Sequence, residues 1–182
     1  MKDTKPWSQL LPVDRLLWTL DLVQREGSHL LYSWHSLFAG NHDLDQAWVA
    51  SLDEYPEEAV RLEAFVSRFG RMQDTMADKL IPRWLDALAE SPGSQIENLN
   101  RAERLQVIES TENWLMARKL RNRLVHEYMR NARDFAEALA QARKQSLMLI
   151  DSYNRLRKDT IKRLALDEHR LPATLHPERG VQ

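Results

Sequence analysis

Apolar residues in this chain recur every three or four positions over stretches too long for strands, and that spacing constrains the fold more than any other feature. The clearest stretch runs from about Glu57 to Ala89, where Leu62, Phe65, Phe69, Met72, Met76, Leu80 and Leu88 share one helical face. Pro82 removes one backbone hydrogen bond and bends this helix near its end, and Ser91-Pro92-Gly93 closes it. An earlier helix opens with Pro12 at a first-turn position, carries Leu16, Leu20, Val23, Leu30, Trp34 and Leu37, and stops at Gly40-Asn41. Gly27 interrupts it and marks a kink or a close helix contact. Acid-rich residues 41–56 read as a short helix or irregular connector anchored by Trp48, Val49 and Leu52.

Further on, a short helix is expected over Asn100 to Ile108, then a helix capped by Ser110 or Thr111. The last long helix starts at the N-cap Asn131 and carries Phe135, Leu139, Ala142, Leu149, Tyr153, Leu156 and Leu164. Five glycines and seven prolines in 182 residues agree with an all-helical protein, and that length supports one core rather than two. The expected fold is all-α: an antiparallel bundle of about four long helices plus short ones. It forms a single helical domain over 1–166, with 1–60 its least defined part. From Asp167 the periodicity stops, and residues 167–182 are expected to be a loosely held tail.

A net charge of −1 argues against a protein that coats nucleic acid through overall charge. The charge is nonetheless uneven: Arg118 to Arg133 holds six Lys or Arg against one acid, Glu127, whereas Asp43 to Glu63 is acidic. There is no Cys, which removes disulfides, thiolate metal sites and cysteine nucleophiles and agrees with a reducing cytosol. The N-terminal MKDTKPWSQLLPVDR lacks a signal peptide's apolar core, and no run approaches the ~20 apolar residues of a membrane span. A soluble, cytoplasmic protein that does not enter membranes is expected.

One stretch departs from an ordinary amphipathic helix: Trp114 to Tyr128, WLMARKLRNRLVHEY. Trp114, Ala117, Leu120 and Leu124 form its apolar face, and the bases are Arg118, Lys119, Arg121, Arg123 and His126. At roughly 100° per residue, Arg121 falls near the centre of the apolar stripe. A guanidinium there needs an acceptor, because an unpaired buried charge is expensive.

Other chemistries have little support. The histidines at 29, 35, 42, 126, 169 and 176 include no His-x-x-x-His pair, and no Gly-rich phosphate loop or nucleophile elbow is present. The carboxylates are spread along wet faces as ion-pair and solubility residues. What remains is Arg121, Asn122, His126 and Tyr128, and on the residues alone two readings stay open. Arg and His near a helix end can simply cap carbonyls and pair with a neighbouring helix. Alternatively, His126 can take a proton from an RNA 2′-hydroxyl or give one to the leaving oxygen, while Arg121 holds the phosphate and stabilises the pentacoordinate state. That chemistry needs no metal, thiol or other cofactor. Five residues separate the pair, which places them about 140° apart around a regular helix. Either the helix frays near His126, or two copies of the chain complete the site across a symmetric interface.

Arg121-Asn122-x-x-x-His126-x-Tyr128 resembles the Arg-Asn-x-x-x-His-x-Tyr signature of the HEPN superfamily, in its HepT-like toxin branch. RFGRMQD (Arg68 to Asp74) and the approach LNRAERLQVIESTENWLMARKLRN extend the resemblance over about Phe65 to Leu164. It implies a helical homodimer with the Arg and His of both chains in a shared cleft, acting as a metal-independent endoribonuclease. Arg121 and His126 then match the catalytic pair, and Asn122 the polar residue that follows the Arg. It also implies a separate MntA-like nucleotidyltransferase antitoxin that adds AMP to Tyr128, bringing bulk and negative charge beside His126. Arg118, Lys119, Arg123 and Arg130 are the candidates to steer the RNA backbone. The alternative is a non-catalytic helical adaptor for a nucleotidyltransferase or nucleotide, in which the motif only shapes the dimer.

Overall fold

The computed structural model describes residues 9–40, 43–126 and 130–178. Among them no strand occurs, and none of the helices is long and apolar enough to cross a membrane. Helix α1 (Pro12–Phe38) starts with its proline where no N–H is required, and it buries Leu16, Leu20, Val23, Leu30 and Leu37 at helical spacing. The connector forms one short helix, α2 (Gln46–Ala50), whose N-cap Asp45 accepts the Trp48 N–H at 2.9 Å. Val49 and Leu52 are buried there, as anchors should be.

Helix α3 (Pro56–Thr75) runs through a widened π turn, Met76–Leu80, into α4 (Ile81–Ala87). Pro82 accounts for that widening: it has no N–H to give the carbonyl one turn back, and Ile81 N–H reaches to Met76 O instead. The short helix expected over Asn100 to Ile108 lies earlier, as α5 (Gln95–Arg104). Ser94 and Glu97 form a capping box that sets its start, and Gln106, with φ 61°, ends it. The Glu97 carboxyl is held below its ordinary range first by the Ser94 side chain and then by the Ser94 N–H. Helices α6 (Thr111–His126) and α7 (Ala132–Leu164) follow, with Asn131 capping α7 by accepting from Arg133 N and Asp134 N at 3.1 Å.

The helices share one core. Phe65, Phe69 and Met72 from α3, Trp84 from α4, Trp114 from α6, and Phe135 and Tyr153 from α7 are all fully buried in it. Each such side chain contributes about 1.5–3 kcal/mol over its exposed state. The Trp84 indole N–H donates to Asp159 at 3.1 Å, so its polar edge is satisfied inside the core.

The tail differs from expectation. After Ala165 (φ 49°) and a 3₁₀ turn, Glu168–Arg170, the chain docks back on α7 and α1. Leu171 and Leu175 are buried. Tyr153 Oη donates to Ala173 O at 2.9 Å, and Arg157 Nε donates to Pro172 O at 2.6 Å. Asn154 donates to Leu175 O at 2.8 Å and accepts its N–H at 2.9 Å. Side chains of α7 thus satisfy the tail's backbone, a form of order that leaves no periodicity in the tail's own sequence.

Candidate functional site

Helix α6 is set in place at its N-terminus. Ser110 Oγ accepts the Asn113 N–H at 3.2 Å, and Glu103, whose carboxyl is held below its ordinary range by the same contact, accepts the Thr111 N–H at 2.9 Å. Trp114, Ala117, Leu120 and Leu124 then face the core, which fixes the rotation of the helix and so the direction of Arg121.

Arg121 does not lie in the middle of a buried stripe. Its side chain is 38% exposed and crosses α3 at Gly70, where a Cβ would sit 3.0 Å from Arg121 Cγ and 3.1 Å from Nε. The acceptor that its position demanded is Asp74, one turn further along α3: Arg121 Nη2 lies 3.4 Å from Asp74 Oδ2. Nη1 donates to Asn122 Oδ1 at 3.1 Å. The missing side chain at Gly70 is the physical reason that the arm emerges from the stripe into open space.

That space is a groove of about 600 Å³ between α3 and α6, with Phe135 of α7 also on its lining. Leu62, Val66, Leu124 and Val125 give it apolar walls, and Glu63, Ser67, Arg71, Asp74, Thr75 and Arg121 give it polar ones. Behind the wall, Thr75 Oγ1 donates to Glu26 Oε1 at 3.1 Å. Burial pushes the Glu26 carboxyl above its ordinary range, opposed by that hydrogen bond and by the charges of Arg71 and Lys79.

The sequence-predicted residues divide into four sets. Arg121 and Asn122 come together as described. His126 is the last residue of α6, which is helical through it, so the backbone does not turn before it. Tyr128 lies outside the described residues. Arg118, Lys119, Arg123 and Arg130 do not line the groove. Arg118 is exposed and donates to Gln95 on α5, Lys119 is exposed, and Arg123 is half-buried. Arg130 borders a separate hollow of about 260 Å³ beside Asp53 and Asn131. Sequence reasoning assigned no role to Gly70, Arg71 or Asp74, although Ser67, Gly70, Arg71 and Asp74 follow the three-and-four spacing of one helical face. Among the described residues no group of three or more His, Asp or Glu is placed to hold a metal ion.

No family model, no curated protein and no solved structure matches the chain.

Proposed function

We propose that this protein is a metal-independent endoribonuclease toxin of the HEPN kind. In this reading it cuts RNA with Arg121 and His126 and is neutralised by a nucleotidyltransferase that adds AMP to Tyr128. The observation that carries the reading is the setting of Arg121: a guanidinium on the motif helix, anchored by Asp74 and Asn122 yet open to a groove.

In the reaction, O2′ of RNA attacks phosphorus, the P–O2′ bond forms and the P–O5′ bond breaks. One proton leaves the 2′-hydroxyl and one reaches the 5′-oxygen, and Arg121 stabilises the charge that develops between those events. Since α6 is helical through His126, positions 121 and 126 lie about 140° apart around its axis. The reading therefore places two copies about a twofold axis, each completing the other's site. Arg71 on the groove wall supplies a further cation for the RNA backbone.

The test is cleavage of a mixed RNA substrate in EDTA by wild type and His126→Ala, after intact mass confirms that Tyr128 is unmodified. Cutting by the wild type alone supports the ribonuclease. The apolar walls Leu62, Val66, Leu124 and Val125 favour a second reading, a non-catalytic adaptor that seats a nucleotidyltransferase. An unmodified, dimeric wild type that cuts nothing would favour that adaptor.

A further inference from the structure

We propose that Asp74, with Gly70, is the positioning element for Arg121: α3 supplies a seat that aims the guanidinium of α6 at a phosphate. This rests on the ribonuclease reading above and adds to it a residue from outside the motif helix.

Three contacts define the seat, and they fall on different parts of the side chain. Gly70 lies under the arm, with the place of its absent Cβ only 3.0 Å from Cγ and 3.1 Å from Nε of Arg121. Asp74 takes Nη2 at 3.4 Å, and Asn122 takes Nη1 at 3.1 Å. Support of the stem, the Asp74 carboxylate beside Nη2 and the hydrogen bond from Nη1 together restrain the position of the guanidinium and the rotation of its plane. A guanidinium carries five N–H donors in a rigid fork, so these contacts leave donors over for a phosphate. Gly70 and Asp74 are four residues apart, hence on one face of α3, so the seat is a single rigid surface.

Stability does not explain this arrangement. The side chains of the pair are 38% and 46% exposed, and an ion pair that open contributes little to folding. Aim is a different matter, because a reacting or charge-stabilising group displaced by about 1 Å loses on the order of a hundredfold in rate. The Asp74 carboxylate also repels a phosphate from its own side of the groove and leaves Arg121's outer edge as the place to bind one.

The experiment uses the full chain, uniformly ¹⁵N-labelled, and reads the order of the Arg121 Nε–H group by NMR, its signal identified by loss in Arg121→Lys. Asp74→Asn, which keeps the shape and removes the charge, and Asp74→Glu are compared with wild type. The same samples are assayed for cleavage of a short RNA. In Asp74→Asn the Nε–H group should become mobile, and kcat should fall roughly tenfold to a hundredfold with KM changed less than about twofold. Asp74→Glu should recover part of both losses, and the thermal unfolding midpoint should stay near wild type. If the Nε–H order and kcat of Asp74→Asn match wild type, or if only KM moves, the positioning role is wrong. A wild type that cuts no RNA sinks the ribonuclease reading instead, and the Nε–H order then decides by itself whether Asp74 holds Arg121.

Discussion

Gly27 on α1 and Gly70 on α3 both sit inside long helices, and both make room for a side chain from elsewhere in the chain. At Gly27 a Cβ would lie 2.3 Å from Leu175 Cδ1 and 3.2 Å from Met72 Cε. The space admits an apolar side chain of the tail, and Leu175 is 4% exposed. At Gly70 the space admits the arm of Arg121, which keeps over a third of its surface in solvent. Burying Leu175 removes apolar surface from water and stabilises the fold directly. An ion pair as open as Arg121–Asp74 contributes little to folding. The same local device therefore serves the core in one place and, in the other, leaves a guanidinium open to the groove between α3 and α6.

The sharpest way to break this comparison is Gly27→Ala. The new methyl meets Leu175 and Met72 in a filled core, and a loss of about 1–3 kcal/mol is expected in urea or thermal unfolding. Leu175→Ala removes the clashing Cδ1, so the double variant should lose less than the sum of the two single ones. An additive result would mean that the tail does not fill the space at Gly27.

A smaller effect is expected where the tail meets Tyr153. Its hydroxyl donates to Ala173 O, and burial raises its pKa well above the ordinary value of about 10. Below that ordinary value the phenol is protonated in both folded and unfolded chains, so the contribution is fully present. As pH rises past it, the unfolded chain releases the proton and the folded chain does not, and stability falls. Urea unfolding followed from about pH 8 to pH 11 should show this decline. Tyr153→Phe should remove this site's share of it while losing about 1 kcal/mol at neutral pH.

How far sequence spoke for structure follows the same division. Periodicity placed α1, α3, α6 and α7, because each buries a stripe that repeats along its own residues. It misplaced α5, whose start is a matter of the Ser94–Glu97 capping box rather than of apolar spacing. It missed the docked tail, since Tyr153, Asn154 and Arg157 satisfy that backbone from another element. At the site the logic is the same. The position of Arg121 on its stripe announced the need for an acceptor, but spacing on α6 cannot say which helix crosses it, so Gly70 and Asp74 appeared only in three dimensions.

Gly70→Ala sharpens the comparison from the other side. Ala favours a helix over Gly by up to about 1 kcal/mol, and Arg121 is a flexible arm that can give way, so stability should stay within about 1 kcal/mol of wild type. On the proposed ribonuclease reading, cleavage should nevertheless fall, because the arm that moves is the one assigned to the phosphate. A drop in stability as large as that of Gly27→Ala would make Gly70 another core glycine and remove the distinction.

The least effect on folding is expected for Arg71→Ala, within about 0.5 kcal/mol, since the side chain is exposed on the groove wall. RNA binding should register it instead. A cation that contacts one phosphate of a single strand contributes about 0.7 to the slope of log affinity against log salt, so Arg71→Ala should flatten that slope by about this amount. Arg118→Ala is the useful contrast, because Arg118 is exposed, donates to Gln95 and does not line the groove. If only Arg71→Ala changes the slope, the backbone of RNA runs along the groove between α3 and α6. If Arg118→Ala changes it equally, the strand also follows the outer face of α6, and the basic residues of that helix steer RNA before Arg121 receives it. A slope moved by neither variant would leave Arg121 in the groove with no phosphate to hold, and the likeness of Gly70 to Gly27 would then be the simpler account.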